Sequence, residues 1–444
     1  MKIAIFVHCF FPDHFYGTET YTLQLARNLK EMGHEPVVVS AIFQGEPSKG
    51  VLVSRYEHEG IQVYCIDKNL IRHSSIRETY YQPAMRSVLK DLLSDIKPDL
   101  VHVTHLINHT AALLDVTKEL GLPTVATLTD FFGFCFNNKL EASDGSLCKG
   151  PDIKRINCIA CFFKADKHNH KASYLRTFTD RYPRLAAIAC YYLRFMPSIG
   201  RRCAGNVLDI IDRPGILSRC YSNYRAVIAP TKFLRDAYLA NGFNIPSHLI
   251  HFGTDIERVP KPERVAGAPV IFGFIGQIAP HKGVDILVDA FRRLPKGKVS
   301  LYVFGPENQD PAYMASLREK AEGYDVHFKG IFPKERMAKV FSEIDFLIIP
   351  STWYENSPLV LLDALASHTP VIVSDVKGMT EFIEQGKNGF IFSRGDAGDL
   401  ERVLKNIIAD PDKSRAMSLT TEYTKTVKMM VEDVLAVYDS IRRN

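Results

Sequence analysis

The sequence predicts an α/β protein made of two doubly wound domains, each with a largely parallel sheet. With 444 residues, the chain is longer than one ordinary hydrophobic core supports. Both halves alternate short apolar segments with amphipathic ones, a pattern typical of a parallel sheet with helices on both faces. A segment rich in proline and glycine, residues 260–269, separates the halves. We therefore expect two domains that face each other across a cleft at the carboxyl ends of their strands.

The first half is expected to form an amino-terminal domain over residues 1–260. Gly33 follows an amphipathic segment and predicts the end of its first helix. The stretch at about 131–225, which contains cysteines and many basic and aromatic residues, does not follow the alternation of strands and helices. It is predicted to be a mainly helical insertion. The predicted strands are 3–7, 36–40, 100–104 and 124–127, and the predicted helices are 20–32 and 111–120.

The second half is expected to form a carboxyl-terminal domain over residues 268–417. Residues 418–444 are predicted to end in a helix that packs back on the amino-terminal domain. The predicted strands are 270–275, 299–304, 326–328, 346–350 and 371–374, and the predicted helices are 284–293, 311–322, 334–343, 358–367 and 427–442.

Composition limits the class of protein. Hydrophobic residues make up 46% and charged residues 24%, as in soluble globular proteins. The first residues are predicted to be a buried strand and not a signal sequence. No run of about 18 apolar residues occurs, so no transmembrane helix is expected. Nine cysteines without a secretion signal favour the reducing cytoplasm.

The most informative segment is residues 348–363, where a buried strand leads through a polar loop into a helix. Ser357 is predicted to be the N-cap of this helix and Pro358 its first residue. The amino end of such a helix binds anions through its N–H groups and its dipole. Two carboxylates, Glu355 and Asp363, would repel a phosphate but suit the hydroxyl groups attached to it. The pattern therefore predicts a nucleotide sugar as ligand.

The loop over residues 276–283 follows the first strand of the second half. Gly276 permits close backbone approach, and Lys282 places a positive charge near a diphosphate. The loop lacks the Walker pattern, and no Gly-x-Gly-x-x-Gly follows a first strand, which argues against an ATPase and a dehydrogenase. An ordinary βα turn with a solvated lysine is the alternative.

Five segments in chain order are similar to motifs of a known family. Residues 274–287 resemble a phosphate loop, 353–366 a Glu-x7-Glu motif and 370–381 the strand and turn after it. Gly17-Thr-Glu19 resembles a Gly-Gly-x-Glu loop, and residues 251–255 resemble an Asn-Gly-x-Asp segment. These motifs are similar to those of the retaining glycosyltransferases of family 4, which have the GT-B fold of two Rossmann-like domains.

The resemblance implies a role for each matching residue. Glu355 would bind the donor sugar and Asp363 the ribose, while Lys282 and the N–H groups of the helix start would bind the diphosphate. The implied donor-binding residues are Gly17, Gly276, Gln277, Lys282, Glu355, Asn356, Ser357, Leu359, Val360 and Asp363. The implied catalytic residues are Glu355, Lys282 and Asp130, with Thr129 and Asp130 on the acceptor side. His105, at the end of the strand over residues 101–104, is a candidate to replace the missing family histidine there, and a capping or core histidine is the alternative.

The same resemblance implies transfer with retention, in which the leaving phosphate accepts the acceptor proton and no metal or other cofactor is required for catalysis. The chain departs from the family pattern at Gln277, where arginine is usual, at Asp363, usually glutamate, and at Thr129, usually histidine. A non-catalytic protein that binds a nucleotide sugar or supports a partner enzyme is therefore the alternative. The acid pair of an epimerase and the pyridoxal lysine of a phosphorylase are not evident.

Four cysteines, Cys135, Cys148, Cys158 and Cys161, form a second constellation. Two have C-x-x-C spacing, and four thiolates suit tetrahedral zinc in a segment poor in core residues. Free thiols and a disulfide or redox role are the alternatives. The other cysteines are predicted to be small core residues. They are Cys9, Cys65, Cys190, Cys203 and Cys220.

The basic insertion suggests a partner surface. Residues 154–225 contain 14 Lys and Arg but only 4 Asp and Glu, although the whole chain has a net charge of +5. Within 174–225, arginines mixed with aromatic and apolar residues suit an anionic membrane surface, and a helix packed on the first domain is the alternative. No base-reading module is visible, so no nucleic acid is expected. The prediction is a cytoplasmic enzyme, at most peripheral on the inner face of the cell membrane, that glycosylates a glycan or lipid-linked acceptor for cell-surface polysaccharide.

Overall fold

The structure is a computed structural model that describes residues 1–165, 181–193, 195, 205–262, 265 and 267–442. The chain divides into two compact units. The first comprises Met1–Ile250 together with Met430–Asn444, and the second comprises His251–Met429. Each unit has its own sheet, which confirms the predicted α/β class with two doubly wound parts.

The sheet of the first unit has the strand order β3-β4-β2-β1-β5-β6-β7-β8. Its neighbours pair in parallel, except that β3 and β4 are antiparallel. Strands β1, β5, β6 and β7 are almost wholly buried, as expected when helices cover both faces. The strands are β1 (Lys2–Phe6), β2 (Glu35–Ile42), β3 (Val53–His58), β4 (Ile61–Asp67), β5 (Leu100–Val103), β6 (Thr124–Thr127), β7 (Ala226–Ala229) and β8 (Ser247–Leu249).

The helices of the first unit include an amphipathic first helix whose buried face packs on the sheet. They are α1 (Gly17–Glu31), α2 (Ile76–Tyr80), α3 (Met85–Ile96), α4 (Ala112–Glu119), α5 (Ile156–Ala165), α6 (Pro183–Leu193), α7 (Gly205–Tyr221) and α8 (Lys232–Ala240).

The sheet of the second unit is parallel throughout, in the order β11-β10-β9-β12-β13-β14. Its strands are β9 (Val270–Ile275), β10 (Val299–Phe304), β11 (Val326–Gly330), β12 (Phe346–Ile349), β13 (Val371–Ser374) and β14 (Gly389–Phe392). Its α-helices are α9 (Val284–Phe291), α10 (Pro311–Ala321), α11 (Met337–Glu343), α12 (Leu359–Ala366), α13 (Ala397–Ala409) and α14 (Pro411–Ala416), and α15 (Val427–Arg442) begins there. Short 3₁₀ helices lie at Pro280–Lys282, Lys334–Arg336, Thr380–Phe382 and Met417–Leu419.

The division between the units differs from the boundary predicted at residue 260. Residues 251–260 belong to the second unit, because the backbone at Gly253 lies so close to Thr426 that a Cβ there would be 2.2 Å from the Thr426 carbonyl oxygen. Asp255 accepts a hydrogen bond from the Val427 N–H at the start of α15 (2.9 Å). The predicted final segment 418–444 is likewise divided, since its residues before Met430 belong to the second unit.

The last helix is anchored in the first unit by its buried Tyr438. The hydroxyl group of Tyr438 lies 2.5 Å from Nδ1 of His102 on β5, and Nε2 of His102 lies 2.8 Å from Oγ1 of Thr127 on β6. Burial lowers the pKa of His102 to about 3, so this imidazole is neutral at physiological pH. The helix is therefore joined by hydrogen bonds to two central strands.

The insertion is helical where it is described. Helices α5, α6 and α7 share a small core in which Ile159, Phe162, Ala187 and Ile210 are buried. Arg194, Cys203 and residues 166–180 and 196–204 of the predicted basic stretch lie outside the described residues. Within the described ranges, no helix is both long and apolar enough to cross a lipid bilayer.

Candidate functional site

Glu355 lies in the loop between β12 and α12, and its position depends on close backbone contacts. Ser374, at the end of β13, donates a hydrogen bond from Oγ to the Ser351 carbonyl (2.6 Å). Gly378 has a φ of +90°, and a Cβ at this position would lie 1.6 Å from the Glu355 carbonyl oxygen. Only glycine therefore permits the turn after β13 to approach the loop that carries Glu355.

The carboxylate of Glu355 is buried and held on one side. Its Oε1 accepts hydrogen bonds from Lys282 Nζ (2.6 Å), Ser351 Oγ (2.6 Å) and Trp353 Nε1 (3.0 Å). All three donors bind the same oxygen, so they fix the orientation of the side chain without using Oε2. A rigid carboxylate with one oxygen that these donors do not use is suited to accept hydrogen bonds from a ligand hydroxyl.

The ionisation of Glu355 follows from the same contacts. Burial alone would raise its pKa, but the Lys282 ammonium and the hydrogen bonds from Lys282, Ser351 and Trp353 outweigh it and lower the pKa. Glu355 is therefore an anion at neutral pH and pairs with a cation beside the helix start.

Lys282 is positioned by a tight turn after β9. The 3₁₀ helix Pro280–Lys282 ends at Gly283, whose φ is +70° and whose Cβ, if present, would lie 2.1 Å from the Pro350 carbonyl oxygen. The ammonium of Lys282 lies 5.2 Å from the centre of the Trp353 ring, which also packs on His281 with ring centroids 4.0 Å apart. The predicted turn thus places a partly buried cation beside Glu355.

The start of α12 differs from the prediction. The N-cap is Pro358 and the first helical residue is Leu359, and no side chain caps the helix. Ser357 is not the N-cap, because its φ of +63° places it in the left-handed region before the helix. Its Oγ is buried and has no hydrogen-bond partner among the described residues. The N–H groups of Leu359 and Val360 have no acceptor within the helix, as in any first turn.

Asp363 lies one turn into α12 and contacts the segment that resembles Asn-Gly-x-Asp. Its Oδ1 accepts a hydrogen bond from Oγ1 of Thr254 (2.5 Å). Burial raises the pKa of Asp363 to about 6, although the Thr254 hydrogen bond and the charge of Lys334 act in the opposite direction. This carboxyl is therefore ionised at neutral pH but close to its titration range.

The remaining predicted donor residues of the second unit border the same loops. Gly276 and Gln277 follow β9 and are half-buried, and a Cβ on Gly305 would lie 2.0 Å from the Gly276 carbonyl oxygen. Asn356 is half-buried between Glu355 and Ser357. The second unit thus contains all predicted donor residues except Gly17, which begins α1 in the first unit.

The predicted acceptor-side residues lie together in the first unit, after β5 and β6. Nε2 of His105 is 3.0 Å from Oδ2 of Asp130, and its Nδ1 accepts a hydrogen bond from the Ile107 N–H (3.1 Å). The Nδ1 contact places the ring proton on Nε2, towards Asp130. Thr129 donates a hydrogen bond from Oγ1 to the Thr104 carbonyl (2.7 Å). His105 and Asp130 thus form a pair at this edge of the sheet.

A second buried group adjoins this pair. The His8 ring lies 4.2 Å from the His105 ring, and Glu19 Oε1 is 3.1 Å from His8 Nε2 and 2.9 Å from Cys9 Sγ. Within the described ranges, only His8, Cys9 and Glu19 place three metal-ligand atoms within 4.8 Å of one another. Burial and the Glu19 charge raise the pKa of the Cys9 thiol, which therefore stays protonated and donates to Glu19. The cluster is thus held by one hydrogen bond, from Cys9 to Glu19, and by the contact of His8 with the same carboxylate oxygen.

Several residues that build the candidate site were not predicted from the sequence. Ser351, Trp353, Thr254, Gly283 and Gly378 all lie inside motifs that the sequence showed, but none was assigned a contact. Trp353 is the only tryptophan in the chain, and Gly378 ends a turn after a buried strand. The single tryptophan and the glycine after a buried strand are visible in the sequence. The contact of Thr254 with Asp363 is not, because it joins positions far apart in the chain.

The fold and this site define a class of protein, and comparison with known families identifies it. The family model described as Glycosyltransferase Family 4 matches residues 15–139, and the model described as Glycosyl transferases group 1 matches residues 255–422. The two matches lie in chain order and together span most of the chain. The chain therefore belongs to the family 4 glycosyltransferases.

Curated relatives match parts of the chain. The D-inositol 3-phosphate glycosyltransferase of Nocardia farcinica (strain IFM 10152) is 30% identical over 185 residues, which are 38% of this chain and 41% of that protein. The sulfoquinovosyl transferase SQD2 of Arabidopsis thaliana is 26% identical over 139 residues, 31% of this chain and 26% of that protein. The chain thus spans less than half of the length of either relative.

Solved structures share the fold over nearly the whole chain. The sucrose-phosphate synthase from Thermosynechococcus elongatus has a TM-score of 0.63 at 16% identity and covers 100% of this chain and 99% of its own. The Anabaena Alr3699/HepE structure in complex with UDP and glucose has a TM-score of 0.62 at 17% identity, over 99% of this chain and 100% of its own. The fold is therefore GT-B.

Proposed function

We propose that this protein is a retaining glycosyltransferase that moves a sugar from a nucleoside diphosphate sugar to a glycan or lipid-linked acceptor. The observation that carries the proposal is the oriented Glu355 carboxylate, fixed by Lys282 just before the first-turn N–H groups of α12. The cation and the N–H groups match a diphosphate, and the carboxylates of Glu355 and Asp363 match hydroxyl groups on either side of it.

The donor half of the reaction follows from these charges. As the bond between the anomeric carbon and the phosphate oxygen breaks, negative charge accumulates on the leaving diphosphate. Lys282 and the N–H groups of Leu359 and Val360 are oriented before the reaction and stabilise that charge. The acceptor oxygen forms the new bond on the same face, and its proton passes to a leaving phosphate oxygen. This route retains the anomeric configuration without a base from the protein.

On the acceptor side, His105 and Thr129 follow the neighbouring strands β5 and β6. The ring of His105 is paired with Asp130, while the hydroxyl of Thr129 is bound to the Thr104 carbonyl. In this proposal the His105–Asp130 pair contacts the acceptor hydroxyl or the sugar. Gly17 is proposed to contact the donor phosphates, and Gln277 is proposed to offer them a neutral side chain.

The setting we propose is cell-surface polysaccharide assembly on the cytoplasmic face of a membrane. Helix α6 supports membrane contact, because Leu185, Ile188 and Tyr192 are exposed on one of its faces near Arg181 and Arg184. Apolar side chains bordered by arginines suit an anionic lipid surface. The cysteine content favours a reducing compartment for this enzyme.

A donor panel tests the proposed activity. Purified protein is incubated with common nucleotide sugars, and free nucleoside diphosphate and glycosylated products are measured by mass spectrometry. We expect one donor to be used, and we expect Glu355→Gln to lower kcat/KM by roughly 10- to 150-fold, because a charge-assisted hydrogen bond contributes about 1.5–3 kcal/mol.

The matched control is Glu384→Gln, which removes an exposed glutamate paired with Lys387 in the same unit. This variant should keep the activity of the unchanged protein. Binding of a nucleotide sugar without any release of nucleoside diphosphate would contradict the enzyme proposal and favour the non-catalytic alternative. Equal activity of Glu355→Gln and Glu384→Gln would contradict the role of Glu355.

A further inference from the structure

We propose that Cys135, Cys148, Cys158 and Cys161 bind one zinc ion as a tetrathiolate site in the first unit. All four cysteines line the same small cavity, together with Leu140 and Glu141. They come from three separate pieces of chain: the turn after Phe134, the loop that contains Cys148, and helix α5. Four thiols from separate segments around one cavity match the ligand set of a structural zinc site.

N–H groups of the surrounding chain approach two of the four sulfur atoms, those of Cys135 and Cys148. The Leu140 N–H lies 3.4 Å from Cys135 Sγ, and the Gly150 N–H lies 3.3 Å from Cys148 Sγ. Asn157 also directs Nδ2 at Cys148 Sγ (3.8 Å). A thiol is a weak acceptor, but a metal-bound thiolate is a strong one, and such N–H donors are the outer contacts that orient the ligands of a metal.

The segment between Cys135 and α5 has little regular structure that would hold it in place. Between Cys135 and the start of α5, regular pairing is limited to one isolated bridge, Glu141 with Leu147. This segment contributes few buried apolar side chains, although Phe136 and Cys158 pack against the small core of the insertion. A metal ion bound by cysteines of both the loop and α5 would hold the loop in a single conformation, which its few buried apolar side chains do not do.

A buried arginine provides an independent observation. Arg213 on α7 is 3% exposed, lies 4.9 Å from the centre of the Phe132 ring, and has a buried Nη1 without a hydrogen-bond partner among the described residues. Cys135 and Asp130 are among the groups whose negative charge would stabilise this guanidinium. A thiolate at Cys135 would therefore add to the charge of Asp130 near a buried cation.

Zinc binding would place further negative charge near this arginine. A zinc ion with four thiolate ligands carries two net negative charges, and Cys135 would bring part of that charge towards Arg213. No three of the four sulfur atoms lie within 4.8 Å of one another in the described structure. Tetrahedral coordination at about 2.3 Å from zinc requires sulfur separations of about 3.7 Å. Binding therefore draws the four side chains inward around the cavity.

Metal analysis of protein purified without chelator tests the site. We expect one zinc per chain by mass spectrometry, and after exchange with Co²⁺ we expect the thiolate-to-metal absorption bands of a tetrahedral tetrathiolate centre. In the native protein, the four thiols should react with a thiol reagent only after a chelator is added.

Cys158→Ser with Cys161→Ser should abolish the bound zinc, and the chelator should lower the Tm of the unchanged protein but not that of the double variant. The matched control is Cys190→Ser on the neighbouring helix α6, which should keep one zinc per chain. A zinc content near zero together with four reactive thiols in the native protein would overturn the proposal, and so would zinc retained by the double variant. If the double variant does not fold, the Co²⁺ spectrum and the thiol titration of the unchanged protein decide by themselves whether the four cysteines bind a metal.

Discussion

Asp363 is the donor-site carboxyl group whose charge changes nearest to neutral pH. Burial raises its pKa to about 6, whereas the pKa of Glu355 is lowered by Lys282 and its other donors. Between pH 5 and 7, Asp363 therefore changes charge and Glu355 does not. A ribose hydroxyl pair donates to an ionised carboxylate better than to a protonated one, so donor binding becomes linked to the titration of Asp363.

The expected result is a donor affinity that falls as the pH falls. If only ionised Asp363 binds the ribose, the Kd at pH 5 should exceed that at pH 7 by about tenfold, because pH 5 is about one unit below the pKa. Calorimetric titration at both pH values measures this ratio. Asp363→Asn should bind more weakly and lose the pH dependence. An unchanged Kd in the unaltered protein at the two pH values would contradict the ribose role of Asp363.

At this scale, the sequence selected two candidate residues that the structure places in contact, Lys282 and Glu355, but it did not predict the geometry around them. Glu355, Lys282 and Asp363 were identified because charged residues at a strand end and a helix start are unusual. The N-cap prediction for Ser357 was wrong, because a serine before a proline is a good N-cap by type, and only the backbone shows that its φ is +63°. Ser357 instead precedes α12 by two residues, and its buried Oγ has no hydrogen-bond partner in the part of the chain that the structure describes.

The turn after β13 is the element that fixes the donor loop. Gly378 and Gly386 both have positive φ, +90° and +76°, and both lie between β13 and β14. A Cβ on Gly378 would lie 1.6 Å from the Glu355 carbonyl oxygen, whereas a Cβ on Gly386 would have no atom within 4 Å. An alanine at either glycine would therefore strain the backbone, but only an alanine at Gly378 would also clash with the loop that carries Glu355.

Replacement of each glycine by alanine separates these two effects. Both variants should lose about 1 kcal/mol of the free energy of unfolding from the left-handed backbone. Gly378→Ala should lose roughly 1–3 kcal/mol more, because the backbone at Glu355 must move to admit the methyl group. Urea unfolding measures the stability, and calorimetry measures the donor affinity, which should fall only for Gly378→Ala. Equal stability and equal donor affinity in the two variants would show that this turn does not position Glu355.

Element prediction succeeded where periodicity is strong. Strands β6, β9, β10 and β13 agree with the predicted ranges, because each is a short apolar run that ends at a turn. The hairpin of β3 and β4 was missed, since β3 alternates exposed and half-buried residues and contains Arg55 and Glu57. An edge strand of this kind lacks the apolar signal that identifies a buried parallel strand.

At the scale of the whole molecule, the proposed chemistry is divided between two sheets. The second unit holds Lys282, Glu355 and Asp363, and the first holds His105 and Asp130. The family models match segments of both units. The two-domain class was predictable from the alternating pattern, but the boundary was not. It depends on Thr254 and Asp255, whose partners Asp363 and Val427 lie more than a hundred residues further along the chain.

The most direct test of the central claim is a crystal structure with the nucleotide sugar that the donor panel selects. We expect the diphosphate within hydrogen-bonding distance of the Leu359 and Val360 N–H groups and of Lys282, with a sugar hydroxyl on Glu355 and the ribose on Asp363. A well-ordered donor bound elsewhere on the protein, with Lys282 and Glu355 still paired and untouched by it, would contradict the proposed function.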